Sequence, residues 1–208
     1  MQNFRNMVQT HIRDNSSVYT FTMVLLVMGV IFGAVIVNSL AVSEKQDLFI
    51  YLKQFFGEVS SGHFASPHAM FNESLTHYLK YIGFMWILGV SIIGLPIILI
   101  LLFLKGVVVG FTVGFLVNQM GWHGLMLAFV SVLPQNLILV PAFIIVSTAS
   151  VAFSLKMIRQ QFIRKNSTPI LPQLFRYSLL VTVVCAILAI VSLFEAYISP
   201  VLIKAVVG

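Results

Sequence analysis

The chain has 208 residues, 59% of them hydrophobic and 9% charged, with a mean hydropathy of +1.01 and a formal net charge of +6. Soluble domains carry about 25% charged residues, so a water-soluble enzyme or binding module is excluded and residues 1–208 read as one integral membrane domain. The positive charge is not laid out for nucleic acid, because no stacking aromatics interleave with the basic residues; it reads as a signal of topology and of attraction to anionic headgroups.

Four runs carry no charged side chain: Asn15–Ser43, Tyr81–Leu104, Gly106–Leu155 and Tyr177–Phe194. A crossing needs about 20 residues, so the third run holds two spans and each of the others one. The expected fold is an all-α polytopic membrane bundle with five transmembrane helices over 18–40, 81–104, 106–120, 125–155 and 177–198. Arg5, Arg13, Lys105, Lys156, Arg159, Arg164, Lys165 and Arg176 then share one side, and Lys45, Lys53, Lys80 and Lys204 the other. Eight basic residues against four predict the N-terminus inside and the C-terminus outside.

In chain order, the first apolar run follows Arg5 and Arg13 and is too long for the apolar core of a secretory signal, so it reads as an uncleaved span. Gly29 and Gly33, four residues apart, open a flat face on it for close helix approach. Packing within the chain, self-association and a partner's helix are alternative uses of that face.

The outer segment 41–80 is the one sizeable extramembrane stretch. Leu48, Phe49, Tyr51, Leu52, Phe55 and Phe56 recur at helical spacing among Glu44, Asp47, Lys53 and Gln54, which predicts an amphipathic helix ended by Gly57 to Gly62. Its Phe49, Tyr51, Phe55 and Phe56 are the candidate docking residues. Ser66-Pro67 is a second helix start. His63, His68, His77 and Glu73 share this segment, but Glu73 and His77 make only one pair of potential ligands, so neither metal nor cofactor is expected.

Pro96 predicts a kink in the second span near Ser91-Ile92, with Lys105 ending that span in the cytoplasm. Gly106, Gly110 and Gly114 then form a stripe at four-residue spacing, extended by Asn118, the chain's most specific helix-packing signal. Asn118–Gly124 is the next outer turn, with Trp122 as an interfacial anchor. Beyond it lies an intramembrane polar break, Pro134, Gln135, Asn136 and Pro141. Either the chain dips in and returns as a re-entrant hairpin, or one long, kinked and partly unwound helix runs through 125–155; the second reading is favoured. Ser167–Pro172 reads as an extended connector. Cys185 stands alone in the last span, which rules out a disulfide framework, and Glu195 sits near that span's outer end within reach of water.

Catalytic residues are not apparent. Ser131, Ser147, Ser150 and Ser154 lie at membrane depth without a His or Asp beside them, and no phosphate- or dinucleotide-binding fingerprint occurs. A small-solute permease, or the membrane subunit of a transporter, is the alternative class, since broken helices mark many carrier sites. Against it, no charge is expected inside the bundle, where coupling groups usually sit.

Met28–Leu40, Gln46-Asp47-Leu48, Gly106–Asn118 and Leu133–Ala142 resemble, in order and spacing, the stage II sporulation protein M family of endospore-forming bacteria. In the broader family the segment around Pro134 often reads Leu-Pro-His-Gly with an acidic residue before the second proline; Gln135, Asn136 and Val140 stand here, as in the sporulation branch. The resemblance implies a non-enzymatic scaffold in the septal membrane during engulfment. Its implied partners are two membrane-anchored peptidoglycan hydrolases, stage II sporulation proteins P and D. Glycine-faced spans and an outer amphipathic helix are compatible with such a hub.

Overall fold

The structure is a computed structural model and describes residues 13, 15–60, 66–91, 93–162, 170–198 and 201. Among these there is no strand. The helices are α1 (Ser16–Ser39), α2 (Val42–Ser60), α3 (Pro67–Val90), α4 (Gly94–Leu127), α5 (Leu133–Phe162) and α6 (Ile170–Tyr197), with a π-helical segment, Ala128–Val132, joining α4 to α5. Ser16–Ser39, Gly94–Gln160 and Leu171–Tyr197 are long and apolar enough to cross a membrane. The middle stretch is two arms: the chain reverses at Gly121, whose φ of 57° and ψ of −127° interrupt the helix. With α3 alongside them, these helices make the expected all-α membrane bundle.

The glycine stripes set the bundle's closest contact. A Cβ on Gly29 would strike the Phe103 carbonyl, one on Gly106 the Leu26 carbonyl, and one on Gly110 the Val30 carbonyl. A Cβ on Gly33 would meet the Val107 carbonyl, and one on Gly114 would lie 3.1 Å from the Ala34 Cα. Residue numbers rise together along both helices, so α1 and α4 run parallel. The Asn118 amide reaches Asn38 Oδ1 at 3.4 Å at their far end. Gly29, Gly33, Gly106, Gly110, Gly114 and Asn118 therefore pack on one another's helices within a single chain.

The turn between the second and third spans is not where Lys105 suggested. α3 ends at Val90, and α4 begins at Gly94, whose N–H donates to the Ser91 carbonyl at 3.2 Å. Pro96 consequently lies in the first turn of α4, where helix N–H groups have no intrahelical acceptor and proline costs nothing. It starts a helix and does not kink one. Lys105 is carried into the interior of α4, about 16 Å along the axis from Gly94 and about 24 Å from Gly121. The predicted spans 81–104 and 106–120 thus give way to α3 and the first arm of α4.

Nor does the predicted break at 134–141 separate two elements. The π-helical Ala128–Val132 lies immediately before Pro134, and α5 runs on through Pro141. Widening the backbone by one residue per turn accommodates the ring and the missing donor. Ser131 Oγ donates to the Leu127 carbonyl at 2.6 Å, and the Asn136 amide donates to the Val132 carbonyl at 2.8 Å. Local side chains thus occupy carbonyls along the distorted stretch, as lipid cannot. The chain is one continuous helical stretch, unwound locally to a π segment, and not a re-entrant hairpin.

Three smaller expectations also shift. α2 continues past Gly57 to Ser60, and α6 starts at Ile170, so Pro172 is already helical. Ser66 does cap α3, its Oγ accepting from the Ala69 N–H at 3.3 Å. His63, Arg5, Arg164, Lys165 and Lys204, like the side chains of Phe55 and Phe56, lie outside the described residues.

Candidate functional site

The core between α3, α5 and α6 holds Ile82, Met85, Phe143, Val146, Leu188 and Val191, all but excluded from solvent. Through it runs a polar seam on α5. Ser147, Thr148, Ser150 and Ser154 are fully buried, and each reaches another helix. Ser147 donates to Met85 Sδ at 3.7 Å, and Thr148 pairs with Thr22 at 2.9 Å. Ser150 pairs with the Tyr177 hydroxyl at 2.7 Å, and Ser154 donates to the Ser91 carbonyl at the α3–α4 corner at 3.2 Å. The seam joins α5 to α1, α3 and α6 by hydrogen bonds that have no competing water. Tyr177 also stacks on Phe153, with ring centroids 5.0 Å apart. A Cβ on Gly89 would fall on the Tyr177 hydroxyl.

A second polar group carries charge. Glu195, expected near water, is turned inward and only 7% exposed. Its Oε1 accepts from the Tyr78 hydroxyl at 2.5 Å, tying α6 to α3. Lys105 feels the Glu195 carboxylate electrostatically, but the two form no direct ion pair. The Lys105 ammonium instead sits over the Phe143 ring, 5.1 Å from its centroid, in a cation–π contact of the kind that gains strength away from water. Tyr81 packs edge-on against that ring, centroids 5.1 Å apart, and its hydroxyl donates to the Leu101 carbonyl at 2.5 Å. Ser192, three residues before Glu195 on the same helix face, is fully buried, and its Oγ has no hydrogen-bond partner among the described residues.

Sequence reasoning missed this group because it gave Lys105 and Glu195 to opposite membrane surfaces. One signal was available. Ser91, Gly94 and Pro96 already supply the turn chemistry for a corner, which leaves Lys105 without a loop to occupy.

The other predicted residues lie apart from it. Leu52 on α2 packs against Leu116, Ala128 and Val132 beside the Gly121 turn, while Tyr51 points away, 71% exposed. Phe49 is half-buried, with the Lys53 ammonium 4.8 Å from its ring centroid. Pro134, Gln135 and Asn136 line the start of α5 and Pro141 is exposed, all within the charge-free run Gly106–Leu155. His68, Glu73 and His77 lie on α3, and the described residues contain no group of three potential metal ligands.

Among the described residues the arrangement offers helix-to-helix hydrogen bonds, a buried carboxylate, a half-buried lysine and a packed helix α2, with no nucleophile beside a base. Neither a curated protein nor a solved structure matches the chain. The family described as stage II sporulation protein M matches residues 22–200, most of the chain and part or all of every helix. That family is not known as one of enzymes. The chain belongs to the stage II sporulation protein M family and is a sporulation-related membrane protein.

Proposed function

We propose that this protein is a non-enzymatic scaffold of the engulfing septal membrane, holding the membrane-anchored peptidoglycan hydrolases, stage II sporulation proteins P and D, where the wall is thinned. The observation that carries this reading is the seating of α2. Leu52 fixes the helix on the Gly121 end of the bundle, and the Ala41 N–H donates to Glu44 Oε2 at 2.9 Å at its start. Ile50 and Tyr51 remain outward, 60% and 71% exposed. A helix held in place by one side and apolar on another presents a pre-ordered surface, which lowers the entropic cost of docking. The glycine faces are consumed within the chain, so the surface that can receive an extracytoplasmic domain is α2.

Paired substitutions Ile50→Glu and Tyr51→Glu test this in sporulating cells. The protein should accumulate normally in the membrane while co-purification of P and D falls at least about tenfold, the equivalent of one lost hot-spot contact. Undiminished capture of both hydrolases by the double variant would reject α2 as the platform.

The small-solute permease, alone or as a transporter subunit, retains one specific support. Glu195 is a buried charge within the bundle and Lys105 a half-buried one, and such groups usually mark pathways or coupling sites,. Solute flux in liposomes holding the purified chain distinguishes it from the scaffold.

A further inference from the structure

We propose that Glu195, Tyr78 and Ser192 form an intramembrane site for a small monovalent cation, a proton or sodium, that neutralises the Glu195 carboxylate in competition with Lys105. The proposal goes beyond the scaffold reading and does not rest on it.

Two oxygens from two helices meet here, and a third lies on the same face of one of them. Glu195 Oε1 and the Tyr78 hydroxyl are in contact at 2.5 Å, and Ser192 lies one helical turn before Glu195 on the same face. Ser192 Oγ is the one buried side-chain oxygen or nitrogen of the described residues without a partner. A buried hydroxyl left unpaired is costly in a low-dielectric interior, and every such group calls for an explanation. A hydroxyl that completes the shell of a bound cation supplies one. Hard monovalent cations take oxygen ligands, and carriers build ion sites near bilayer depth where polar groups of neighbouring helices converge.

The charges around the site make it exchangeable. On α4, Lys105 is close enough to interact with Glu195 but is not ion-paired with it, resting instead on Phe143. From α3 the group facing Glu195 is Tyr78; His77 and Lys80 on that helix are exposed. His123 lies on α4 beyond the Gly121 turn, Lys156 and Arg159 lie near the end of α5, and α1 contributes no charged side chain from Ser16 to Ser39. Glu195 is therefore served by one fixed cation held short of contact, and a second cation can take over the neutralisation. Loading with a proton converts the carboxylate to the acid, which can then donate to a hydroxyl oxygen. Loading with sodium leaves the carboxylate ionised.

The test is labelling of purified full-length protein in liposomes with a hydrophobic carbodiimide, which adds to protonated carboxyls in apolar surroundings. The adduct at Glu195 is read by peptide mass spectrometry at acidic and at alkaline pH. The expected result is an adduct formed at acidic pH whose yield falls roughly tenfold or more at alkaline pH, as loss of the proton requires. Sodium at constant pH should suppress the yield further where choline does not; suppression by pH alone assigns the site to the proton. Glu195→Gln should abolish the adduct. Lys105→Met should extend labelling to higher pH, because the carboxylate loses its resident cation. Ser192→Ala, which removes only an unpartnered hydroxyl, should weaken sodium protection and leave folding intact. A Glu195 adduct that is absent at every pH, or whose yield ignores pH, sodium and the Lys105→Met change alike, would overturn the proposal and leave Glu195 a purely structural partner of Tyr78.

Discussion

Gly110 and Gly83 look alike in the sequence, each a glycine within an apolar stretch, but only one of them touches another backbone. A Cβ on Gly110 would fall on the Val30 carbonyl oxygen of α1, whereas nothing lies within 4 Å of one on Gly83. Gly110→Leu should therefore destabilise the bundle by at least about 3 kcal/mol, because two backbones and not a flexible side chain would have to part. Gly83→Ala should instead stabilise it by roughly 0.5–1 kcal/mol through helix propensity. Thermal unfolding in detergent reads both, and equal effects would contradict the α1–α4 contact. Four-residue spacing makes the stripe legible in the amino-acid order itself, because only small residues permit such approach. Its partner is not legible there, since nothing in the spacing says which helix arrives. Lys105 was misplaced for the opposite reason. A lone lysine between apolar runs normally marks a loop, and only the cation–π seat on Phe143 and the field of Glu195, both set by distant sequence, let it stay inside.

Corners and joints between helices depend on a few side-chain bonds. The α3–α4 corner is fastened to α5 by Ser154, whose Oγ donates to the Ser91 carbonyl. Ser154→Ala should cost about 0.6–1.7 kcal/mol, the range for hydrogen bonds between membrane helices, measured as a lowered midpoint in the same unfolding experiment. The α4 hairpin depends on Gly121 more sharply. Its φ of 57° with a ψ of −127° lies outside what side chains with a Cβ adopt without strain,, and there is no neighbour within 4 Å for a Cβ to strike. Gly121→Ala thus isolates the backbone cost, of order 1–3 kcal/mol, from any steric one. At this scale the sequence spoke clearly where turn chemistry was unambiguous, as at Ser66-Pro67 and at the turn carrying Trp122, which is 68% exposed. It misled at Pro96 and overstated the break at Pro134. Proline marks a lost donor, but whether the chain answers with a corner, a kink or a π segment depends on where the neighbouring helices can compensate.

For the molecule as a whole, the contacts fix which helix ends lie together. Arg13 before α1, Lys156 and Arg159 near the end of α5, and Arg176 at the start of α6 gather at the end marked by the Ser91 corner. Glu44, Lys45 and Asp47 lie with the Gly121 turn, since α2 packs there. With Lys105 withdrawn, the sequence bias of seven basic residues against four still predicts that end in the cytoplasm,. Single cysteines placed in a Cys185→Ala background report this directly through a membrane-impermeant maleimide. Lys45→Cys should label in intact cells, and Arg159→Cys only once the membrane is opened. Lys105→Cys should resist the reagent in both conditions, because α4 carries that position between Phe143 and the Glu195 carboxylate and away from either surface. If Lys105→Cys instead labelled together with Arg159→Cys, the chain would turn at Lys105, α3 and α4 would shift by more than ten residues against α6, and neither the Tyr78–Glu195 bond nor the site built around it could form.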